Sequence, residues 1–310
     1  MDGTTPQSSD RNDDETYVGR ARYYSPANIF KVARPEIPRH IFSAELARAM
    51  ADDTPTGWTP LDIGDQIGLD EPATTPLMLA RYGRIRAGES LTAAFRASGE
   101  FYYVIRGEGR ATKGHETLHW HAGDVFSLPG GGQTILTAGS GRDSDTVLLV
   151  ITNEPELAFH GLDAPAPEAA PTRAVRYPLA DIRAEMDKVR TTQKADPDAS
   201  GMALHLTSER NGNADAAHPT IKLAMNSLDA HAIQRPHRHN SVALTLPIRC
   251  EKVYSVIEGQ RLDWAQYALM ITPPAARHEH HNEGDEMMLS LVVQDGGLYF
   301  RCRTIGFSFD

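Results

Sequence analysis

The sequence predicts an all-β chain built as two tandem barrels or sandwiches with a few short helices. Three observations lead there. Between residues 77 and 152, short apolar runs (LMLARYGRI, EFYYVIRGEG, DVFSLPGGG, TVLLVIT) alternate with glycine-rich turns. That is the texture of short strands joined by tight connections. The same texture returns from about residue 203 and continues to residue 310. The two stretches also overlay on each other. Ile105-Arg106-Gly107-Glu108 matches Ile248-Arg249-Cys250-Glu251 at an offset of 143, while Trp120 matches Trp264 and Pro129 matches Pro273 at 144. A drift of one residue suits two diverged copies of one fold.

Taken in order, residues 1–20 read as a disordered acidic tail, without the basic-then-apolar order of a signal peptide. Residues 21–75 form an N-terminal extension. It is irregular apart from a helix near SAELARAMA (43–51), which Ser43 can cap. Residues 76–162 are the first β unit. Residues 163–202 are a linker that opens with the Pro- and Ala-rich DAPAPEAAPTRAVRY. A helix follows, on which Leu179, Ile182, Met186 and Val189 recur at helical spacing, and KADPDASG ends it. Residues 203–310 are the second β unit.

Bulk composition narrows the function classes. The 310 residues are 40% hydrophobic and 23% charged, enough to bury a core. The net charge of −10 gives nucleic-acid binding no electrostatic support. The two cysteines, Cys250 and Cys302, make neither a disulfide framework nor a zinc motif, and a reducing cytoplasm is the expected home. No apolar run approaches the about 20 residues of a membrane span.

The histidines carry the chemistry. RPHRHNS (235–241) places His237 and His239 two apart, so on a strand they project from one face. Neutral imidazoles suit Fe, Zn, Cu or Ni. In ITPPAARHEHHNEG, His278 and His280 again share a face. Through the repeat, His237 maps to Ala94, His239 to Arg96 and His278 to Thr134, while Glu100 maps to Ala243. The second half thus has three histidines and no carboxylate; the first keeps the carboxylate and has lost every histidine. His119 and His121, in HWH, fall on another strand and read as structural or surface residues. His231 stands where the first half has the turn glycine Gly88. His40, His115, His160, His205 and His218 match no frame and read as surface residues.

In these residues the chain resembles the cupin superfamily. The first cupin motif is laid out as Gly88, Ala94, Arg96, Glu100 and Gly107, and the second as Gly123, Pro129, Gly131 and Thr134; the second half repeats Pro273 and His278 at the matching interval. The resemblance implies a bicupin, two tandem double-stranded β-helix (jelly-roll) barrels, with a degenerate N-terminal cupin and a metal-binding C-terminal one. HRHNSVALTLPIRC followed by Thr272, Pro273, His278, His280, Asn282, Glu283 and Gly284 is similar to the gentisate 1,2-dioxygenase and salicylate dioxygenase group. That resemblance implies Fe(II) on His237, His239 and His278, and O2-dependent ring cleavage of a gentisate- or substituted salicylate-like acid. It also implies a homo-oligomer, a dimer or a tetramer. His280 is expected to donate to a substrate oxygen or move a proton, with Asp295 touching substrate hydroxyls. Arg249, Thr245 and Trp264 are expected to bind substrate. Arg249 shares parity with 243, 245 and 247 if no bulge intervenes, although Pro247 suggests one. Arg238 should point away from the metal, and Glu100 is expected to pair with Arg96. Two departures stand out: the metal site falls in the second cupin, and Thr245 stands where the group often carries arginine. A cupin metalloenzyme of another class, or a non-catalytic cupin that binds a small acid, remains compatible with the same residues.

Overall fold

The computed structural model describes residues 16–23, 34–141, 144–193, 202–209, 216–304 and 306–310. Residues 1–15 of the expected tail and the segment 194–201 that ends the linker helix lie outside the described residues. Residues 1–34 and 35–310 form separate units, and the fold below is that of 35–310.

Four antiparallel sheets make two barrels. In the first barrel a six-stranded sheet runs, in spatial order, Val175–Tyr177, Val125–Pro129, Gly99–Arg106, Thr146–Thr152, Leu79–Ile85 and Gly57–Pro60. It faces a four-stranded sheet of Ser90–Ala93, Thr134–Ala138, Glu108–Lys113 and Glu116–His121. The second barrel repeats the plan. Its six-stranded sheet is His40–Ile41, Met270–Thr272, Ala243–Arg249, Met288–Gln294, Lys222–Leu228 and Met202–Leu206. The opposing sheet is Gln260–Asp263, Val253–Ile257, His278–Asn282, Ile233–Arg238 and Ser308–Phe309. Leu79–Ile85 and Lys222–Leu228 lie 143 residues apart, and Thr134–Ala138 and His278–Asn282 lie 144 apart. The repeat seen in the sequence is therefore a repeat of strands.

The boundaries differ from the sequence reading at both ends of the first barrel. Gly57–Pro60, inside the expected extension, is an edge strand of the first barrel, and Val175–Tyr177, inside the expected linker, is the opposite edge. His40–Ile41 pairs with Met270–Ile271 of the second barrel. These strands are two to four residues long, too short to give a period-2 pattern. The helices Ser43–Met50 and Leu179–Gln193 form where the spacing predicts them, and Ile182 and Met186 are buried. Ser43 is the first helical residue rather than the cap; Phe42 stands at the cap position with no side-chain hydrogen bond.

Strand alternation places the core. On Gly99–Arg106, Phe101, Tyr103 and Ile105 face one way and join Leu244, Leu246, Leu291 and Val293 of the second barrel in one apolar layer between the two six-stranded sheets. Tyr102 and Val104 face the other way, into the first barrel, beside Trp120, Phe126 and Leu148. Both faces of this strand are buried, which explains its continuous apolar run. The interior cluster of the second barrel is smaller, built on Leu228, Val253, Trp264, Met270 and Met288. A cavity lies in the same barrel. Gly107 (φ 86) and Gly131 (φ 75) take turn conformations that a side chain would strain. His231, in the position of Gly88, adopts the same left-handed backbone at φ 57. Among the described residues no helix is long and apolar enough to cross a membrane.

Candidate metal centre

His237 and His278 sit opposite each other on paired antiparallel strands, and His239 follows one step beyond the end of its strand. The ring centroids of His237 and His278 are 4.2 Å apart, those of His239 and His278 4.8 Å, and those of His237 and His239 5.9 Å. One nitrogen from each ring falls within 4.8 Å of the other two. The second nitrogens explain the convergence. Nδ1 of His237, His239 and His278 each lies 2.8 Å from a backbone carbonyl, of Arg235, Ser241 and Ala276 respectively. A carbonyl only accepts, so each Nδ1 carries the proton and each Nε2 keeps its lone pair. Burial pulls all three below the ordinary histidine range, His239 to about 4 and His278 to about 2. They are neutral at pH 7, the state a metal requires. Three neutral Nε2 donors with backbone-fixed tautomers are a donor set that fits Fe(II) or a similar divalent ion.

These histidines line a cavity of about 260 Å³. Its remaining walls include the amides Asn226, Gln234 and Gln294, the hydroxyls Thr245 and Thr272, and the rings of Tyr299, Phe300 and Phe307. Ala243 lies among them, so no carboxylate intrudes from the position that Glu100 occupies in the first barrel.

No family model and no curated protein matches the chain. Solved structures do. Salicylate 1,2-dioxygenase from Pseudaminobacter salicylatoxidans superposes with a TM-score of 0.75 over 100% of this chain and 99% of that one, at 13% identity. A point mutant of that enzyme in complex with gentisate gives 0.75 over 100% and 98%, at 11% identity. An oxalate decarboxylase structure gives 0.54 over 95% and 85%, at 14% identity. The fold is a bicupin.

Within this bicupin the other expected site residues divide. Thr245 is buried and lines the cavity. His280 lines it too, outside the three-nitrogen group, with Nδ1 2.8 Å from Ser255 Oγ. Trp264 does not reach the main cavity. It packs edge-on behind His280, with ring centroids 5.4 Å apart, and donates Nε1–H to Ser255 Oγ at 2.7 Å. Asp295 is buried away from the cavity lining and accepts the Val242 N–H at 2.8 Å, bracing the turn after His239. Burial pushes its carboxyl up to about 7. Arg249 is a correction. The strand register shifts between Pro247 and Arg249, and this bulge turns the guanidinium outward. There Nε donates to the Met287 carbonyl at 2.5 Å and NH1 lies 3.7 Å from Glu286. Arg238 points out of the site, where Nε lies 3.4 Å from Asp310 Oδ1 and NH1 3.2 Å from Glu258 Oε1.

Several residues at the cavity were missed in the sequence. Gln294 Nε2 lies 3.3 Å from His239 Nε2, and Asn226 breaks the apolar run LAMNSL. A polar side chain at inward parity on a buried strand was the available signal. Phe307 gave none. Its ring centroid lies 5.4 Å from that of His237 because the final strand, Ser308–Phe309, adds to the ligand strand. Of the histidines read as surface residues, His218 is instead buried, while His205 is exposed as read and also borders the cavity.

The first barrel holds a different centre. Glu100, fully buried, receives Lys113 Nζ at 2.6 Å, Tyr102 Oη at 2.6 Å and Thr134 Oγ1 at 3.0 Å. The expected pairing with Arg96 does not form, since Arg96 lies 3.5 Å from Asp163 at the surface. Lys113 comes from a neighbouring strand that the motif frame does not include. Its ammonium also lies 3.0 Å from Thr134 Oγ1, the residue that matches His278 in the repeat.

Proposed function

We propose that the protein is an Fe(II)-dependent ring-cleaving dioxygenase acting on a hydroxylated aromatic acid of the gentisate or substituted salicylate type. The observation that carries this reading is the set of three neutral histidines in one small cavity, each with Nδ1 spent on a backbone carbonyl. The likeness to salicylate 1,2-dioxygenase structures, one of them in complex with gentisate, supports it.

His237, His239 and His278 hold the metal through Nε2. Bound Fe(II) supplies the one-electron chemistry that lets O2 attack an aromatic ring. The protein's own groups do the rest. Three neutral ligands leave the full positive charge of the ion in place, which favours an anionic substrate. Ala243 leaves open the side from which a carboxylate ligand would reach, so a hydroxyl and a carboxylate of the substrate have room to bind together. The amides of Asn226, Gln234 and Gln294 and the hydroxyls of Thr245 and Thr272 offer hydrogen bonds to substrate oxygens. No lysine or arginine is among the described lining residues, so hydrogen-bond donors and the metal together balance the acid's charge. Phe300, Phe307 and Tyr299 give the ring apolar walls. A cavity of about 260 Å³ suits a single-ring acid.

The test loads the protein anaerobically with Fe(II), adds gentisate, salicylates, aminobenzoic acids or hydroxynaphthoic acids, and then admits O2. Loss of ring absorbance with at least one compound, dependent on both metal and O2, is the expected result. Fully loaded protein that consumes no compound on admission of O2 would reject this reading.

A further inference from the structure

Five histidines line the cavity; His205 is exposed at its edge, and of the other four His280 is held differently from the three of the metal group. Trp264 Nε1–H has no lone pair and can only donate, and its acceptor is Ser255 Oγ at 2.7 Å. Ser255 is fully buried, and among the described residues its hydroxyl has one other partner, His280 Nδ1 at 2.8 Å. The hydroxyl has one proton. Directed anywhere but at Nδ1, it would be buried without an acceptor, which is unfavourable. Nδ1 of His280 is therefore the acceptor, and the ring proton sits on Nε2. That nitrogen has no partner among the described residues, and the ring lines the cavity.

We propose that Trp264 and Ser255 are positioning residues that fix His280 as the Nε2–H tautomer, a hydrogen-bond donor aimed into the cavity. The three metal-site histidines, whose Nδ1 atoms meet carbonyls, are fixed in the opposite tautomer. Around the three-histidine group the cavity thus sets one imidazole N–H beside three imidazole lone pairs. His280 cannot become a fourth ligand without giving up the serine, and its N–H serves an oxygen of the bound molecule. The tautomer is independent of the proposed activity; only the identity of that oxygen rests on it.

The first barrel supplies an internal comparison. Ser255 pairs across strands with His280, and the equivalent pair is Ala111 with Leu136. Trp120 matches Trp264 and is fully buried, but its Nε1 has no hydrogen-bond partner among the described residues. Where the imidazole is absent, the hydroxyl is absent too, and the tryptophan keeps only its packing. The serine thus accompanies the histidine it orients.

The test is ¹⁵N NMR of the full chain, labelled at histidine and loaded with diamagnetic Zn(II), without substrate. Two-bond nitrogen–proton correlations distinguish the tautomers. The native protein should show His280 protonated at Nε2, and His237, His239 and His278 protonated at Nδ1. In Trp264→Phe the serine loses its obligatory donor, and His280 should become a mixture or shift to Nδ1–H. Ser255→Ala, a smaller change, should do the same if the tryptophan variant misfolds. Native His280 protonated at Nδ1 would overturn the proposal. So would an unchanged Nε2–H tautomer in a folded variant. Because the experiment uses neither O2 nor substrate, its failure is separable from failure of the proposed activity.

Discussion

His237, His239 and His278 each donate Nδ1–H to a carbonyl two residues away, so chain geometry prepares the lone pairs before any ion arrives. Replacing His237 with alanine removes one of three donors. The variant should emerge from gel filtration without stoichiometric metal, whereas His280→Gln should retain it. Metal analysis of both variants decides the point, and retention of full metal by His237→Ala would remove that residue from the site. Asp295 gives a separate test at this scale. Its carboxyl is raised from 3.8 to about 7 by burial. The folded state then holds a proton that the unfolded state has released, so stability falls as pH rises from 3.8 through about 7. Asp295→Asn keeps an acceptor for the Val242 N–H without a charge. Across that window, wild type should lose up to about 1.4 kcal/mol per pH unit relative to the variant in denaturant unfolding. A difference that does not change with pH would mean that Asp295 ionises normally.

Strand parity explains both what could be read from the sequence and what could not. Residues two apart share a face, which put His237 with His239 and sent Arg238 outward, while the repeat and motif frame added His278 from another strand. The same rule failed for Arg249, because a bulge after Pro247 resets parity and the sequence fixes neither the length nor the place of a bulge. It failed for Lys113 as well. The motif frame names Glu100 and Thr134, but their cation comes from the neighbouring strand Glu108–Lys113, which only the folded sheet brings alongside. The buried pair makes its own prediction. Glu100→Gln alone leaves an uncompensated ammonium and should cost about 3–5 kcal/mol in chemical unfolding. Joint replacement by Leu at 100 and Met at 113 should cost much less, since it removes both charges together. A double variant as unstable as the single would show that the pair contributes more than mutual compensation.

Across the whole molecule, the two barrels share one apolar layer and a buried polar tie. His218 Nδ1 accepts the N–H groups of Thr220 and Ile221, so Nε2–H donates to Ser98 Oγ at 2.8 Å. The serine in turn accepts from Asn153 Nδ2 at 2.8 Å. This Ser–His pair runs the wrong way to activate a nucleophile, and it serves as a clamp between the barrels. Burial lowers the His218 pKa to about 3. The unfolded chain binds a proton that folded His218 does not, so this contribution is complete above pH 6.5 and is lost as pH falls towards 3. His218→Gln should flatten that part of the stability profile, whatever its effect at neutral pH. Tyr82 adds a second tie, accepting the Leu269 N–H at 2.8 Å and donating to the Tyr267 carbonyl at 2.6 Å. The strand repeat was legible in the sequence, but the packing of one barrel on the other was not. It depends on Phe101, Tyr103 and Leu244, which carry no sign of their partner across so long a separation in sequence.

The proposed activity inserts both atoms of O2 into an aromatic acid. The most direct measurement is mass spectrometry of the product formed by Fe(II)-loaded protein under isotopically heavy O2. Two heavy oxygen atoms in a ring-opened acid are predicted. A product with one heavy atom or none, or a transformation that proceeds equally well without O2, would contradict it.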